Sequence, residues 1–346
     1  METITISLTQ GTYPVVIGPL QKITHPGKVL VVSNPKVAGL YLSKLLEAIS
    51  APEIYVSIVP DGEYYKSFAT CEQILETAFT SRLDRKSLMI ALGGGVISDM
   101  TGFVSAIYQR GIDFIAVPTT LLAQVDASVG GKTGINNRFG KNLVGVFHQP
   151  KAVYIDPSFL STLPQREFYA GVAEIIKMAV CFDKEFFIWL QTADLNEPET
   201  LSVAISKSVR IKAGVVSSDE KEQGVRAGLN YGHTFGHVIE NQTNYAVFLH
   251  GEAVAIGMLM ANAMSVALGH LSAKESGEIT ALLKRYDLDL DYRIADVGAF
   301  YDKFFLDKKS QQQKIKFVLP RGIGDLLMIE DVPKDVVMGI LRQWEK

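Results

Sequence analysis

The sequence predicts an α/β domain built on a parallel sheet, followed by a mostly helical domain. Two observations carry that prediction. Residues 1–156 alternate short, continuously apolar runs with helical stretches, whereas residues 157–346 carry long helical patterns and few strand-like runs. Continuous apolar runs of four to eight residues suit strands covered on both faces, the habit of parallel sheets.

The first domain is expected over residues 1–156. "METITISLTQ" alternates apolar and polar residues like a half-exposed strand. "KVLVVS", "IYVSIV", "SLMIAL", "DFIAVP" and "AVYID" are the buried-strand candidates. Between them "GLYLSKLLEAIS" and "CEQILETAFTSRL" carry helical periodicity, which makes βαβ units. Such a sheet binds ligands, nucleotides typically, in a crevice at its strand ends. The second domain is expected over 157–346. Its helical stretches include "EFYAGVAEIIKMAVCF", "LSVAISKSVRIKAGVVS", "GHTFGHVIENQT" and "GEAVAIGMLMANAMSVAL". "KKSQQQK" reads as a surface turn.

Bulk properties exclude several classes. The 346 residues are 47% hydrophobic and 21% charged, enough apolar matter for two cores. A formal net charge of −3 gives no basic excess for nucleic acid. The apolar run at 253–269 contains Asn262 and Ser265, follows Glu252, and is shorter than the ~20 residues a bilayer needs; it reads as a core helix, not a membrane span. The N-terminus lacks the basic start and apolar block of a signal peptide. Two cysteines, Cys71 and Cys181, offer no disulfide framework and suit a reducing, cytoplasmic setting.

Four motifs carry chemistry. "ALGGGVISDMTG" follows a strand and opens a helix; its glycines let backbone approach a diphosphate, and the helix start supplies N–H groups. It is not the G-x-G-x-x-G fingerprint. "SVGGKTGIN" resembles a P-loop, but Asp126 stands where that template needs glycine, so it reads as a sharply turned or mobile loop presenting Lys132. In "AGVAEIIK", Glu174 and Lys177 share a helix face, and the apolar setting of Glu174 implies partial burial, hence a cation or metal. In "GLNYGHTFGH", His233 and His237 stand at i and i+4, and His250 follows in "HGEAVAIGM". That is metal-ligand spacing, although Thr234 replaces the glutamate of the H-E-x-x-H motif. Spacing alone leaves open which of the three histidines bind.

Taken together, "PDGEYYKS", "GGGVISDMTGF", "QRGIDFIAVPTTLLAQVDASVGGKTGIN", "GKNLVG", "AGVAEIIK", "GLNYGHTFGH", "HGEAVAIGM" and "LDKK" resemble the 3-dehydroquinate synthases of the sugar-phosphate cyclase family, in family order from about residue 60 to 309. The resemblance implies a dehydroquinate synthase-like fold, with an N-terminal NAD-binding domain and a C-terminal helical domain. It implies conversion of 3-deoxy-D-arabino-heptulosonate 7-phosphate to 3-dehydroquinate and phosphate. The steps are transient oxidation at C5 by NAD+, β-elimination of phosphate, return of the hydride, ring opening and aldol closure.

The resemblance also implies residue roles. The metal ligands, for Zn2+ or Co2+, match Glu174, His233 and His250, while His237 matches a substrate contact. Asp126, Lys132, Asn142, Lys177, Lys212, Arg226, Asn230, His237 and one or both of Lys308 and Lys309 match residues that meet a substrate of about three negative charges. Arg110 matches a residue that reaches the partner subunit's site, implying a homodimer. NAD contacts match Asp61, Gly62, Glu63, Lys66, Gly93, Gly94, Gly95, Val96, Asp99, Thr119, Thr120, Lys132, Lys141, Phe159 and Thr162, with Asn34 at a strand end. Two departures stand out: Ser98, where glycine is more usual, and "SQQQ" after "LDKK", where a glycine turn is expected. The competing readings are another cyclase, such as 2-deoxy-scyllo-inosose synthase, a metal-dependent NAD polyol dehydrogenase, and a non-catalytic sensor on the same scaffold.

Overall fold

The computed structural model describes residues 1–9, 11–243, 245–305 and 314–346. The chain divides into two compact units, each made of two stretches: residues 1–164 with 197–221, and residues 165–196 with 222–346.

The first unit is a seven-stranded sheet. Its order is Glu2–Leu8, Gly11–Ile17, Ala152–Ile155, Asp113–Pro118, Leu88–Gly93, Val29–Ser33, Ile54–Ile58. The first two strands pair antiparallel, and every other pairing is parallel. Side chains alternate between two cores. Leu30, Val32, Met89 and Ala91 pack with Ile74, Met100 and Val104 of the helices Phe68–Thr80 and Gly95–Ile107. Val29, Val31, Leu88, Ile90 and Leu92 pack on the other face with Leu45 of the helix Pro35–Ala48. This is why these strands read as unbroken apolar runs.

Chain order reverses once in the parallel part. From Val29–Ser33 the chain steps outward to Ile54–Ile58, then crosses to Leu88–Gly93 on the other side. The carboxyl ends of Val29–Ser33 and Leu88–Gly93 therefore flank the switch point, where open α/β sheets form their ligand crevice.

The helix Pro198–Ser218, which reads as part of the helical second half in sequence, packs on the strand Glu2–Leu8 and belongs to the sheet unit. Arg210 pairs with Glu2 at 2.5 Å, and Ser206 donates to the same carboxylate.

The second unit is built around the helix His250–Ala267, buried over most of its circumference. A helix apolar on all sides needs neighbours on all sides. The helices Gln165–Phe182 and His233–Gln242 pack against it, and the hairpin Phe317–Pro320 with Leu326–Ile329 adds a further layer. Among the described residues no helix is long and apolar enough to cross a membrane.

Candidate active site

In the sheet unit the switch point gathers predicted residues from four segments. Gly94 is the N-cap of the helix Gly95–Ile107 and supplies no side-chain cap, so the helix start presents bare N–H groups. A Cβ at Gly94 would stand 3.1 Å from Thr120 Cγ2, and one at Gly95 would stand 3.2 Å from Ala127 Cβ. The glycines keep the cradle open. Thr119 N–H donates to Gly93 O at 3.0 Å, and the buried Thr119 hydroxyl finds no partner among the described residues. Asn34 caps the helix Pro35–Ala48 through Val37 N–H at 2.8 Å and donates to Asp61 Oδ1 at 2.8 Å. Gly62 follows with φ of 110°, and Val96 sits in the first helical turn. Ser98, where glycine is more usual, is accommodated within that helix as a buried residue.

Lys66 is the hub of a second group. Buried, it donates to Asp99 Oδ2 and to Asn142 Oδ1, each at 2.5 Å. Burial alone would lower its ammonium, but the charges of Asp99 and Glu63 outweigh it and hold Lys66 above its ordinary value. Glu63 accepts from Asn136 at 2.8 Å and lies 4.0 Å from the Lys141 ammonium. Asn136 in turn accepts from Asn142 N–H at 2.9 Å. Tyr41 donates to Phe159 O at 2.7 Å and meets the Thr162 hydroxyl. Lys212, buried, bonds Asp126 Oδ1 at 2.5 Å, so two predicted substrate residues begin as an ion pair.

Two other predicted residues stand differently. The segment expected as a loop around Lys132 is a turn only to Gly131; Lys132–Asn137 is a strand, paired with Gly140–Phe147. At Gly134 a Cβ would stand 2.7 Å from Val144 O, so this glycine permits a close approach of the two strands. Lys132 is exposed at the strand's start. Arg110 is exposed in a left-handed stretch, with φ of 48° at Gln109, 70° at Arg110 and 116° at Gly111.

In the helical unit, one helix each brings Glu174, His233 and His250 together, with candidate ligand atoms all within 4.8 Å of one another. Close backbone packing makes this possible. A Cβ at Gly251 would collide with Ala170 O, and one at Gly257 with Gly232 O. Glycine at these places lets the helices approach until their polar side chains meet.

Glu174 is fully buried, and the Lys177 ammonium, also buried, lies against its Oε2. Neither Glu174 oxygen has a hydrogen bond of normal geometry among the described residues. His233 Nδ1 faces Tyr231 O at 3.2 Å, and His250 Nδ1 faces Glu240 Oε1 at 3.2 Å. A carbonyl and a carboxylate accept, so the neutral form of either ring that suits these contacts has its proton on Nδ1 and its lone pair on Nε2. Burial, then Lys177 and the other two imidazoles, pushes His233 well below its ordinary value, which favours that neutral form. One carboxylate and two imidazoles make a three-ligand set for a divalent cation, with positions left for other oxygens.

A second grouping shares one member: His237, Glu240 and His250. His237 is exposed, its ring 5.4 Å from that of His233. Arg226 is buried, and Asn230 donates to Glu222 Oε1 at 2.9 Å. Lys308 and Lys309, with most of "KKSQQQK", lie outside the described residues.

Sequence reasoning missed Asn136, Glu222 and Glu240. Glu240 had a signal: at i+7 from His233 and i+3 from His237, it shares their helix face, and "HVIEN" sets it beside apolar residues.

The family model for the 3-dehydroquinate synthase N-terminal domain matches residues 56–170, and that for the C-terminal domain matches 171–310. The chain is 65% identical to the 3-dehydroquinate synthase of Helicobacter hepaticus, over 100% of this chain and 98% of that protein. Among solved structures, a 2-epi-5-epi-valiolone synthase from Streptomyces hygroscopicus, with NAD+ and Zn2+ bound, superposes with a TM-score of 0.88 at 26% identity, covering 98% of each chain. A 2-deoxy-scyllo-inosose synthase complexed with carbaglucose-6-phosphate, NAD+ and Co2+ shares the fold, with a TM-score of 0.87 at 24% identity over 99% of this chain and 100% of that one.

Proposed function

The chain belongs to the 3-dehydroquinate synthase family, and we propose that it converts 3-deoxy-D-arabino-heptulosonate 7-phosphate to 3-dehydroquinate and inorganic phosphate. The observation that carries the reading beyond resemblance is the meeting of Glu174, His233 and His250 beside Lys177 in a buried part of the helical unit.

Glu174, His233 and His250 would hold the divalent ion. The fit rests on a buried carboxylate that, among the described residues, meets the Lys177 ammonium and has no hydrogen bond of normal geometry, and on two imidazoles whose Nδ1 atoms face acceptors, which points Nε2 to the ion. The open glycine turn at Gly93–Gly95, with Asn34, Asp61, Glu63, Lys66, Thr119 and Lys141, would hold NAD. When bound, the cofactor supplies a reversible hydride acceptor and the ion an electrophile for substrate oxygens.

The chain's own residues supply charge and position. Lys177 sits where it offsets Glu174 and offers donors to an anionic oxygen. Arg226, Asn230 and His237 extend that donor set in the helical unit, and Lys132, Asn142 and Lys212 form another in the sheet unit. Such donors orient carboxylate and phosphate and stabilise the charge that develops as phosphate departs. No residue of the site is singled out as the base; the departing phosphate's own oxygen takes the proton at C6. We further propose a homodimer in which the exposed Arg110 serves a second copy, and a cytoplasmic setting, in keeping with two free, buried cysteines.

Incubation with the heptulosonate phosphate, a trace of NAD+ and Zn2+ tests the reading. Phosphate and dehydroquinate should form in equal amounts without net NADH. Accumulating NADH would mean a dehydrogenase. Turnover confined to sugar phosphates that lack a carboxylate would mean a different cyclase.

A further inference from the structure

We propose that Glu240 is a positioning residue for His250: buried behind the imidazole, it fixes which ring nitrogen faces Glu174. This rests on the reading of Glu174, His233 and His250 as metal ligands. Glu240 is 1% exposed and lies on the helix His233–Gln242, whereas His250 opens the next helix. Its Oε1 stands 3.2 Å from His250 Nδ1, while His250 Nε2 stands 4.0 Å from Glu174 Oε1. The two nitrogens thus face two different carboxylates.

An imidazole at a helix start can rotate about its side-chain bonds, and either nitrogen can ligate a cation. A buried carboxylate behind the ring accepts the Nδ1 proton, which stops the rotation and leaves the lone pair on Nε2. It also enriches the ring in electron density, making Nε2 a stronger donor. His233 receives a weaker version from the Tyr231 carbonyl at 3.2 Å. His250 is therefore the ligand whose orientation depends on a side chain, and so the one a single substitution can release. Glu240 also lies within reach of His237, in the grouping that shares His250. Holding Nδ1 protonated keeps that second grouping from capturing the ion.

Metal-stripped full-length protein is titrated with Co2+ against a chromophoric chelator. Glu240→Gln keeps the size and an acceptor oxygen but loses the charge; Glu240→Ala removes both. Outer-sphere partners of this kind are worth about 10–100-fold in metal affinity. The expected result is roughly tenfold weaker binding for Glu240→Gln and about a hundredfold for Glu240→Ala. The cobalt visible spectrum should shift in both, with little change in the melting temperature of the metal-free proteins. Parent-like affinity and spectrum in both variants would overturn the proposal. So would a loss of affinity matched by a loss of metal-free stability with the spectrum unchanged, which is a structural role. If neither variant folds, nitrogen-15 NMR of the loaded parent decides: Nε2 bound and Nδ1 protonated supports the proposal, and Nδ1 bound overturns it. A parent that takes up no ion overturns the ligand assignment and this proposal together. A parent that binds while both variants match it overturns this proposal alone.

Discussion

The two candidate sites, one in each unit, are built on opposite principles. In the sheet unit, the work is done by backbone: strand ends, a bare helix start and glycines that leave room for a ligand. In the helical unit it is done by side chains, on three helices held close by glycines that leave room for one another. The centre of the first is local, since Gly93 to Asp99 is one continuous stretch with side chains of other segments around it. The second is assembled from residues 174, 233 and 250. Local sites should tolerate damage elsewhere in their unit. Assembled ones should fail whenever the helices shift.

The largest effect is expected from His233→Ala. Losing a ligand should remove several kcal/mol of charge stabilisation, lowering turnover by about a thousandfold or more. NAD affinity should stay within about twofold of the parent (a factor worth under ~0.5 kcal/mol). Isothermal titration with NAD+ beside a phosphate-release assay would read both. A parallel fall in NAD affinity would break the proposed separation.

Next comes Gly257→Ala, which touches no ligand. Its methyl group would collide with Gly232 O, forcing the helices apart at a cost of about 1–3 kcal/mol. Melting temperature and Co2+ affinity should fall together. An unchanged Co2+ affinity would show that helix spacing does not assemble the cluster.

Gly94→Ala should be smaller and confined to the sheet unit. Its methyl group enters the cradle against Thr120, so NAD binding should weaken about tenfold, or ~1.4 kcal/mol, with metal affinity unchanged.

The smallest effect concerns Asp156, at the end of the strand Ala152–Ile155. Burial would raise its carboxyl, but Lys44 at 2.7 Å and the N–H groups of Ser158 and Leu20 outweigh it and hold the carboxyl below the usual range. A depressed folded value means stability fully present above the unfolded value of about 3.9 and lost as pH falls through the lower folded one. Asp156→Asn should therefore cost about 1 kcal/mol near neutrality. The gap should close in denaturant titrations as pH falls through the lower folded value. A gap that persists in acid would mean that shape, not charge, matters there.

The same contrast explains what could be read in advance. "VLVVS" and "LMIALG" announced buried parallel strands because both faces are covered, which leaves no room for polar alternation. The glycine turn was legible because its function and its sequence are contiguous. The helix Pro198–Ser218 was not assignable to the sheet unit, since its periodicity records that one face is buried and not against what. The His233/His237 spacing was suggestive but ambiguous. Geometry along one helix cannot reveal that Glu174 and His250 arrive from two others. Gly134 read as a loop glycine because close strand contact and a flexible turn ask for the same residue.

The most direct test of the three-ligand metal centre is anomalous diffraction at the zinc edge from crystals of the zinc-loaded protein. A single peak is expected about 2.0–2.2 Å from a Glu174 oxygen and from Nε2 of both His233 and His250. A peak among His237, Glu240 and His250, or no peak at either place, would contradict it.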